Sequence, residues 1–375
     1  MRLIIDRSAS VDFRPVSIQR YPEQDADMTS ERMEDPARHF DDKRIPSGKV
    51  PPDLLNRLLN LPRRTSPAVL VGPGPGEDAA VLRMGKSLMA VTSDPITFST
   101  PRPGYYAVHV NANDIAVMGG RPQFLTLTMI LPPQATERQA ARIMHEAIRA
   151  ADALEIVLIG GHSEVSDAVR TPIVSVTMFG RLIGERPLRT GDGQPGDAII
   201  QVNPMGIEGT SILASEHYPR LREKLDAALV DRAAGFLFDP GISVVAPARL
   251  AVEKLEVHAM HDPTEGGLAT GLQEIAAASQ TGLVVQEASL LSAEETILIC
   301  RHLQFDPLGL ISSGCLLFTL PADQAADAVQ CMNAAGYRAA EIGRLTDTPG
   351  ERVLFSNSGQ RREMPVFLVD ELAAR

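Results

Sequence analysis

Five short stretches of the 375-residue chain bring together residue types that can do chemistry. The first is Gly72-Pro73-Gly74-Pro75-Gly76-Glu77-Asp78. Its glycines bare backbone amides and two carboxylates follow, so it either wraps an anion or forms a stiff turn before a strand. The prolines remove amide donors and no helix follows at once, unlike a G-x-G-x-x-G dinucleotide loop. The second, Val91-Thr92-Ser93-Asp94-Pro95, sets a carboxylate just past an apolar strand, where it serves a turn or meets a crevice. The third, Asn111-Ala112-Asn113-Asp114, interrupts an otherwise apolar helix, with Asn111 and Asp114 on one face. Asn and Asp are poor mid-helix residues, so a polar site accounts for them better than a solvated face. The fourth, Ile159-Gly160-Gly161-His162-Ser163-Glu164, ends an apolar strand. Its glycines admit a ligand to the backbone, and His162 and Glu164 project from the rim. The fifth, His261-Asp262-Pro263-Thr264-Glu265-Gly266-Gly267, either caps a helix or opens one as an anion-ready start. Gly85-Lys86-Ser87 is a hairpin turn and not a P-loop, because the glycine required five residues before Gly85 is Ala80.

These stretches share abundant Asp and Gly and contain no Lys or Arg. Asp78, Asp94, Asp114 and Asp262 in one site would repel a polyphosphate. Mg²⁺ takes oxygen ligands and bridges carboxylates to phosphates. The residues therefore suggest a carboxylate–magnesium–nucleotide site on a scaffold without a P-loop. Its metal ligands would be Asp78, Asp94, Asp114 and Asp262. Gly72, Gly74, Gly76, Asp78, Asn111, Asp114, Gly160 and Gly161 would bind the cofactor, and His162, Glu164 and Asp262 are the catalytic candidates.

The elements that must position these residues follow from periodicity. Leu54, Leu55, Leu58 and Leu59 have helical spacing; Ala79–Leu82 and Leu88–Thr92 read as strands; Tyr105–Met118 reads as a helix stopped by Gly119-Gly120. Phe124–Leu131 alternates as a strand, and Thr136 with Gln139 forms a capping box before an amphipathic helix. The apolar run Ile156–Ile159 predicts a buried strand and Ile173–Phe179 a further one. A break at Arg186–Pro195 separates two halves. Beyond it the pattern predicts strands at Asp197–Val202, Val257–Met260, Cys315–Leu320 and Tyr337–Gly343, and helices at Ile242–Leu255, Gly266–Ser279 and Ala322–Ala335. A further helix is capped by Ser292 with Glu295. Alternating strands and helices make both halves mixed α and β.

Composition narrows the function classes. Hydrophobic residues at 44% and charged residues at 22% suit a soluble globular chain with a sizeable core. Aromatics at 4% without Trp leave little for base stacking, and a net charge of −11 has the wrong sign for phosphate-held nucleic-acid binding. No run approaches the ~20 apolar residues of a membrane span. Met1–Asp6 is charged too soon for a signal peptide. Cys300, Cys315 and Cys331 lack metal-type spacing and read as reduced core thiols, which points to the cytoplasm.

At its motifs the chain resembles the aminoimidazole ribonucleotide (AIR) synthetase, or PurM, superfamily, nearest to the hydrogenase maturation protein HypE and HypE-like AIR synthase-related proteins. The matching text is Gly76–Val81, Thr92–Asp94, Asn113–Pro122, Gly160–Ser163, Asp262–Ala269 and Ser312–Gly314, in family order. The resemblance implies an α/β (α+β) PurM-like fold in two domains, 47–190 and 191–345. The first domain contributes strands to a β-barrel across a homodimer, and ATP lies between the two domains. Apart from the resemblance, Tyr21–Lys43 is crowded with Asp, Glu and Arg and has no period of two or 3.6, so residues 1–46 read as a mobile extension or else an ordered arm on a partner subunit, and 346–375 as a tail. By that resemblance Asp78, Asp94 and Asp114 hold Mg²⁺ and the phosphates, Asp262 faces the same ions, Gly72–Gly76 wraps the nucleotide, and His162 stands where relatives carry an acid or a His.

The implied activity is ATP-dependent phosphorylation or dehydration of an amide-like oxygen on a small molecule or a protein-borne group. A thiamine-monophosphate type of small-molecule kinase and a non-catalytic nucleotide-binding assembly or regulatory protein are the alternatives. The chain departs from HypE in three places. Its last cysteine, Cys331, falls inside a predicted helix instead of at a C-terminus, Glu265 replaces an Arg, and His162-Ser163-Glu164 replaces Asp-Thr-Lys.

Overall fold

Two mixed β-sheets with helices against them build residues 69–363 of the computed structural model. The structure describes residues 40–45, 50–61, 63–74, 76–97, 100–367 and 369–373. Most of the expected extension 1–46 therefore lies outside the described residues. No single helix among them is long and apolar enough to cross a membrane.

The first sheet contains β1 (Val69–Val71), β2 (Ala80–Met84), β3 (Ser87–Ile96), β4 (Gly120–Leu131), β5 (Val157–Val165) and β6 (Ile173–Leu182), in the order β1-β2-β3-β6-β4-β5. Only β4 and β5 run parallel. Alternation in β4 and β6 turns Leu125, Leu127, Met129, Val174, Val176 and Met178 onto one buried face, as the period of two requires. Helices α1 (Pro52–Leu59), α2 (Pro103–Val117) and α3 (Glu137–Ala153) belong to this half. The expected cap of α3 is present: Thr136 Oγ1 accepts from the Gln139 amide at 3.2 Å.

The second sheet contains β7 (Ala198–Val202), β8 (Ala259–His261), β9 (Gly282–Gln286), β10 (Leu316–Leu320), β11 (Ala339–Thr346), β12 (Arg352–Phe355) and β13 (Arg361–Glu363), in the order β13-β12-β9-β11-β7-β10-β8. Helices α4 (Ile207–Glu216), α5 (Tyr218–Arg222), α6 (Ala227–Ala234), α7 (Val245–Lys254), α8 (Gly267–Ala278), α9 (Glu294–Leu303) and α10 (Ala325–Ala334) complete it. Strands β12 and β13 carry this sheet past residue 345.

Helix α2 joins the halves. It is buried nearly all round, giving Ile115 to the core under the first sheet and Ala116 and Val117 to the core of the second. Asn113 adds a polar link: its amide donates to the Ile242 carbonyl and accepts from the Val244 amide, both at 2.8 Å.

Three expectations need correction. The run Ile156–Ile159 does not form a buried strand. β5 is the edge of its sheet, with Val157 53%, Ile159 57% and Val165 62% exposed, because β4 is its one neighbour. Gly160–Glu164 accordingly lie within that strand rather than at its end. The cap of α9 falls on Ala293, since Ser292 is held in a bridge to Met205.

Candidate active site

Strand β3 and helix α2 bring the first two acids together. Thr92 Oγ1 donates to Asp114 Oδ2 at 2.8 Å. Asn111 grips the β3 backbone two residues later: its Oδ1 accepts from the Asp94 amide at 2.8 Å, and its Nδ2 donates to the Asp94 carbonyl at 3.1 Å and the Ala107 carbonyl at 2.8 Å. Asn111, expected to touch the cofactor, thus holds Asp94 in place. Thr92 and Asp94 are two residues apart on one strand, so both face α2.

The loop before β2 brings the third acid. Gly72, Gly74 and Gly76 line that loop, and the Glu77 amide closes a turn on the Gly74 carbonyl at 3.2 Å. Glu77 pairs with Arg189 and Asp78 accepts from Thr190 at 3.4 Å, which ties the loop to the segment before the second sheet. Strand β8 supplies the remaining groups. His261 Nδ1 lies 3.3 Å from Asp78 Oδ2, and its Nε2 lies 2.9 Å from Glu274 Oε2 on α8. One ligand atom each from Asp78, His261 and Asp262 falls within a 4.8 Å span.

The charges of Asp262, Asp94 and Asp78 all bear on Asp114. Burial pushes the Asp114 carboxyl well above the usual range, and the charges of Asp262, Asp94 and Asp78 push it further, against the Thr92 hydrogen bond. Burial works against a charge on His261, but Asp78 and Glu274 outweigh it and hold its pKa well above the ordinary histidine value. The donor set is hard oxygen with one imidazole, which is the ligand chemistry of a divalent cation.

His162 and Glu164 are not brought to these acids within one chain. His162 pairs across β5 with Thr128, Thr128 with Ser175 of β6, and Ser175 with Pro95 of β3. Three strand spacings put roughly 14 Å between His162 and Pro95. Residues paired in a ladder share a face, so His162 and Glu164 lie on the face opposite Asp94. They bond to each other at 3.1 Å, both exposed. Gly161 is explained by packing: a Cβ there would run into the Leu127 carbonyl of β4. A Cβ at Gly160 would meet nothing within 4 Å.

Sequence reasoning gave no role to His261, Glu274 or Glu208. The signal for the first was its place beside Asp262; Glu274 lies seven residues beyond Gly267, two turns along the same helix face. Glu208, in the first turn of α4, is 1% exposed and hydrogen-bonded to Ser313. Its Oε2 has no hydrogen-bond partner among the described residues. Burial raises its pKa to about 7, with Asp370 and Glu265 adding to the shift against the Ser313 hydrogen bond.

The segments carrying these residues match known family models. Residues 76–182 match the AIR synthase related protein N-terminal domain, with Asp78, Asp94 and Asp114 inside it, and residues 194–356 match the C-terminal domain of the same family, with Asp262 inside it. The chain belongs to the AIR synthase-related family. Within that family it is 30% identical over 274 residues to the carbamoyl dehydratase HypE of Azotobacter vinelandii, covering 70% of this chain and 75% of that protein. It is 29% identical over 310 residues to the HypE of Rhodobacter capsulatus, covering 79% and 86%. Among solved structures, hydrogenase maturation protein HypE in complex with ATP superposes with a TM-score of 0.63 at 25% identity, over 83% of this chain and 89% of that one. The fold is thus the mixed α/β, PurM-like fold of this family with its two mixed sheets.

Proposed function

We propose that this AIR synthase-related protein is an ATP- and Mg²⁺-dependent enzyme that activates an amide-like oxygen, on a small molecule or on a partner protein, by phosphorylation or dehydration. The observation that carries this reading is the grouping of Asp78, His261 and Asp262 within a 4.8 Å span, beside the buried Asp114 on which the charges of Asp262, Asp94 and Asp78 all bear. Such a cluster repels a triphosphate by itself and attracts one through a dication. Mg²⁺, when bound, would neutralise charge on the β- and γ-phosphates and polarise the transferring group.

The chain's own residues would do the rest. Asp78, Asp94, Asp114 and Asp262 would hold the ion; Asn111 would fix Asp94 and Thr92 would orient Asp114. The loop Gly72–Gly76 would lie along the nucleotide. An amide oxygen placed in line would form a bond to the γ-phosphorus as the bond to ADP breaks. Departure of phosphate, with loss of both protons from the amide nitrogen, would leave a carbon–nitrogen triple bond. The carbamoyl dehydratase relatives support this over simple phosphoryl transfer.

The exposed outer face of the first sheet and its apolar edge β5 support a homodimer whose strands close a barrel. That contact would cover His162 and Glu164 and leave their catalytic role to the dimer. The activity is tested by following ADP release from MgATP over a panel of primary carboxamides and carbamoyl compounds, small and protein-borne. ADP release that depends on the amide is expected; none across the panel overturns the proposal.

A further inference from the structure

His261 and Glu274 are more than neighbours of the acids. We infer that His261 is a nitrogen ligand of the divalent cation and biases the site toward a transition-metal dication such as Mn²⁺ over Mg²⁺. This rests on the proposed cation site and deepens it by naming a ligand and the class of ion preferred.

The distance between His261 and Asp78 fits shared coordination. Two donors each about 2.1 Å from one ion are about 3.0 Å apart at a right angle and about 4.2 Å apart when opposite. Nδ1 of His261 is 3.3 Å from Asp78 Oδ2, and the set with Asp262 stays within 4.8 Å. The ring's other nitrogen is engaged as in metal-bound histidines. Glu274 Oε2 lies 2.9 Å from Nε2, so Nε2–H donates outward and Nδ1, turned toward Asp78, is the nitrogen left for a cation that displaces its proton.

The ring is also held in place. His261 is buried, and its backbone is paired in register with Leu317 of β10. Behind it, Gly271 of α8 comes so close that a Cβ would stand 3.3 Å from the imidazole Cδ2 and 2.9 Å from Pro263 Cγ. A glycine there lets α8, and with it Glu274, pack directly onto the ring. A Lys or Arg at 261 could offset the buried acids equally well; only an imidazole can also present a lone pair to a metal. A nitrogen donor adds affinity for first-row transition dications, least for Mn²⁺ and more along the series, whereas Mg²⁺ takes oxygen and keeps its water.

The test is pulsed electron paramagnetic resonance of the full-length protein loaded with Mn²⁺ and inorganic tripolyphosphate, which has no nitrogen of its own. Wild type should show ¹⁴N modulation from a coordinated imidazole, and His261→Gln should lose it. By calorimetry, His261→Gln should weaken Mn²⁺ at least about tenfold and Mg²⁺ by no more than about threefold. Glu274→Gln should weaken Mn²⁺ about tenfold while keeping the ¹⁴N signal. Mn²⁺ binding to wild type without imidazole modulation overturns this inference and leaves the cation site standing. Absence of any Mn²⁺ or Mg²⁺ binding overturns both.

Discussion

Replacing Glu208 by Gln isolates one buried carboxyl and has a magnitude that follows from its surroundings. Glu208 is enclosed at the start of α4, bonded through one side to Ser313, and its pKa stands near 7 against an ordinary 4.5. A raised acid pKa means the native state binds more protons than the unfolded chain between those two values. Stability therefore falls as pH rises from about 4.5 to about 7 and is level above that. A shift of this size corresponds to about 3 kcal/mol of lost stability at pH 8. Gln keeps the shape and can still bond Ser313, but it never ionises. Urea unfolding followed by circular dichroism should find Glu208→Gln more stable than wild type by about 3 kcal/mol at pH 8 and by no more than about 1 kcal/mol at pH 5. The difference between the two proteins cancels every group they share. An equal offset at both pH values would show that Glu208 is not held in a dry, acidic setting, and the reasoning would fail.

Other perturbations test other parts of the account. Asn113→Ala strips both bonds to the Ile242 and Val244 backbone and should cost about 2–4 kcal/mol in the same unfolding assay. Gly161→Ala should destabilise through the collision with the Leu127 carbonyl, whereas Gly160→Ala should change stability little. Burial pushes the thiols of Cys300 and Cys315 up to about 12, so a thiol reagent at pH 8 should leave both unmodified in native protein and label both in urea. Ile159→Lys with Val165→Lys should leave the monomer folded and abolish self-association in sedimentation velocity.

Much of the site was legible because its residues break local rules. Asn111, Asn113 and Asp114 are poor residues for an apolar helix, and each has a buried partner or buried charge that explains it. The capping box at Thr136 is local chemistry between residues three apart, so spacing alone reveals it. Strand β5 misleads because an apolar run reports a surface that needs cover without saying whether the same chain covers it. The pattern does not predict helices α4 to α6: Gly206, Ile207, Gly209 and Thr210 are weak helix formers, and tertiary packing of Ile207, Leu213 and Ala214 decides the matter. The His261–Glu274 contact joins a strand to a helix, and the buried state of Glu208 depends on Ser313, Glu265 and Asp370, which the fold alone brings near.

The central claim is that four aspartates gather around one dication to hold a triphosphate. Calorimetric titration of ATP into the protein with Mg²⁺, and again with a chelator, tests it most directly, with Asp94→Asn and Asp114→Asn as the variants. Binding should occur with Mg²⁺, vanish with the chelator, and be lost in both variants while their circular dichroism stays native. Equal ATP affinity with and without Mg²⁺, or unchanged affinity in both variants, would contradict it.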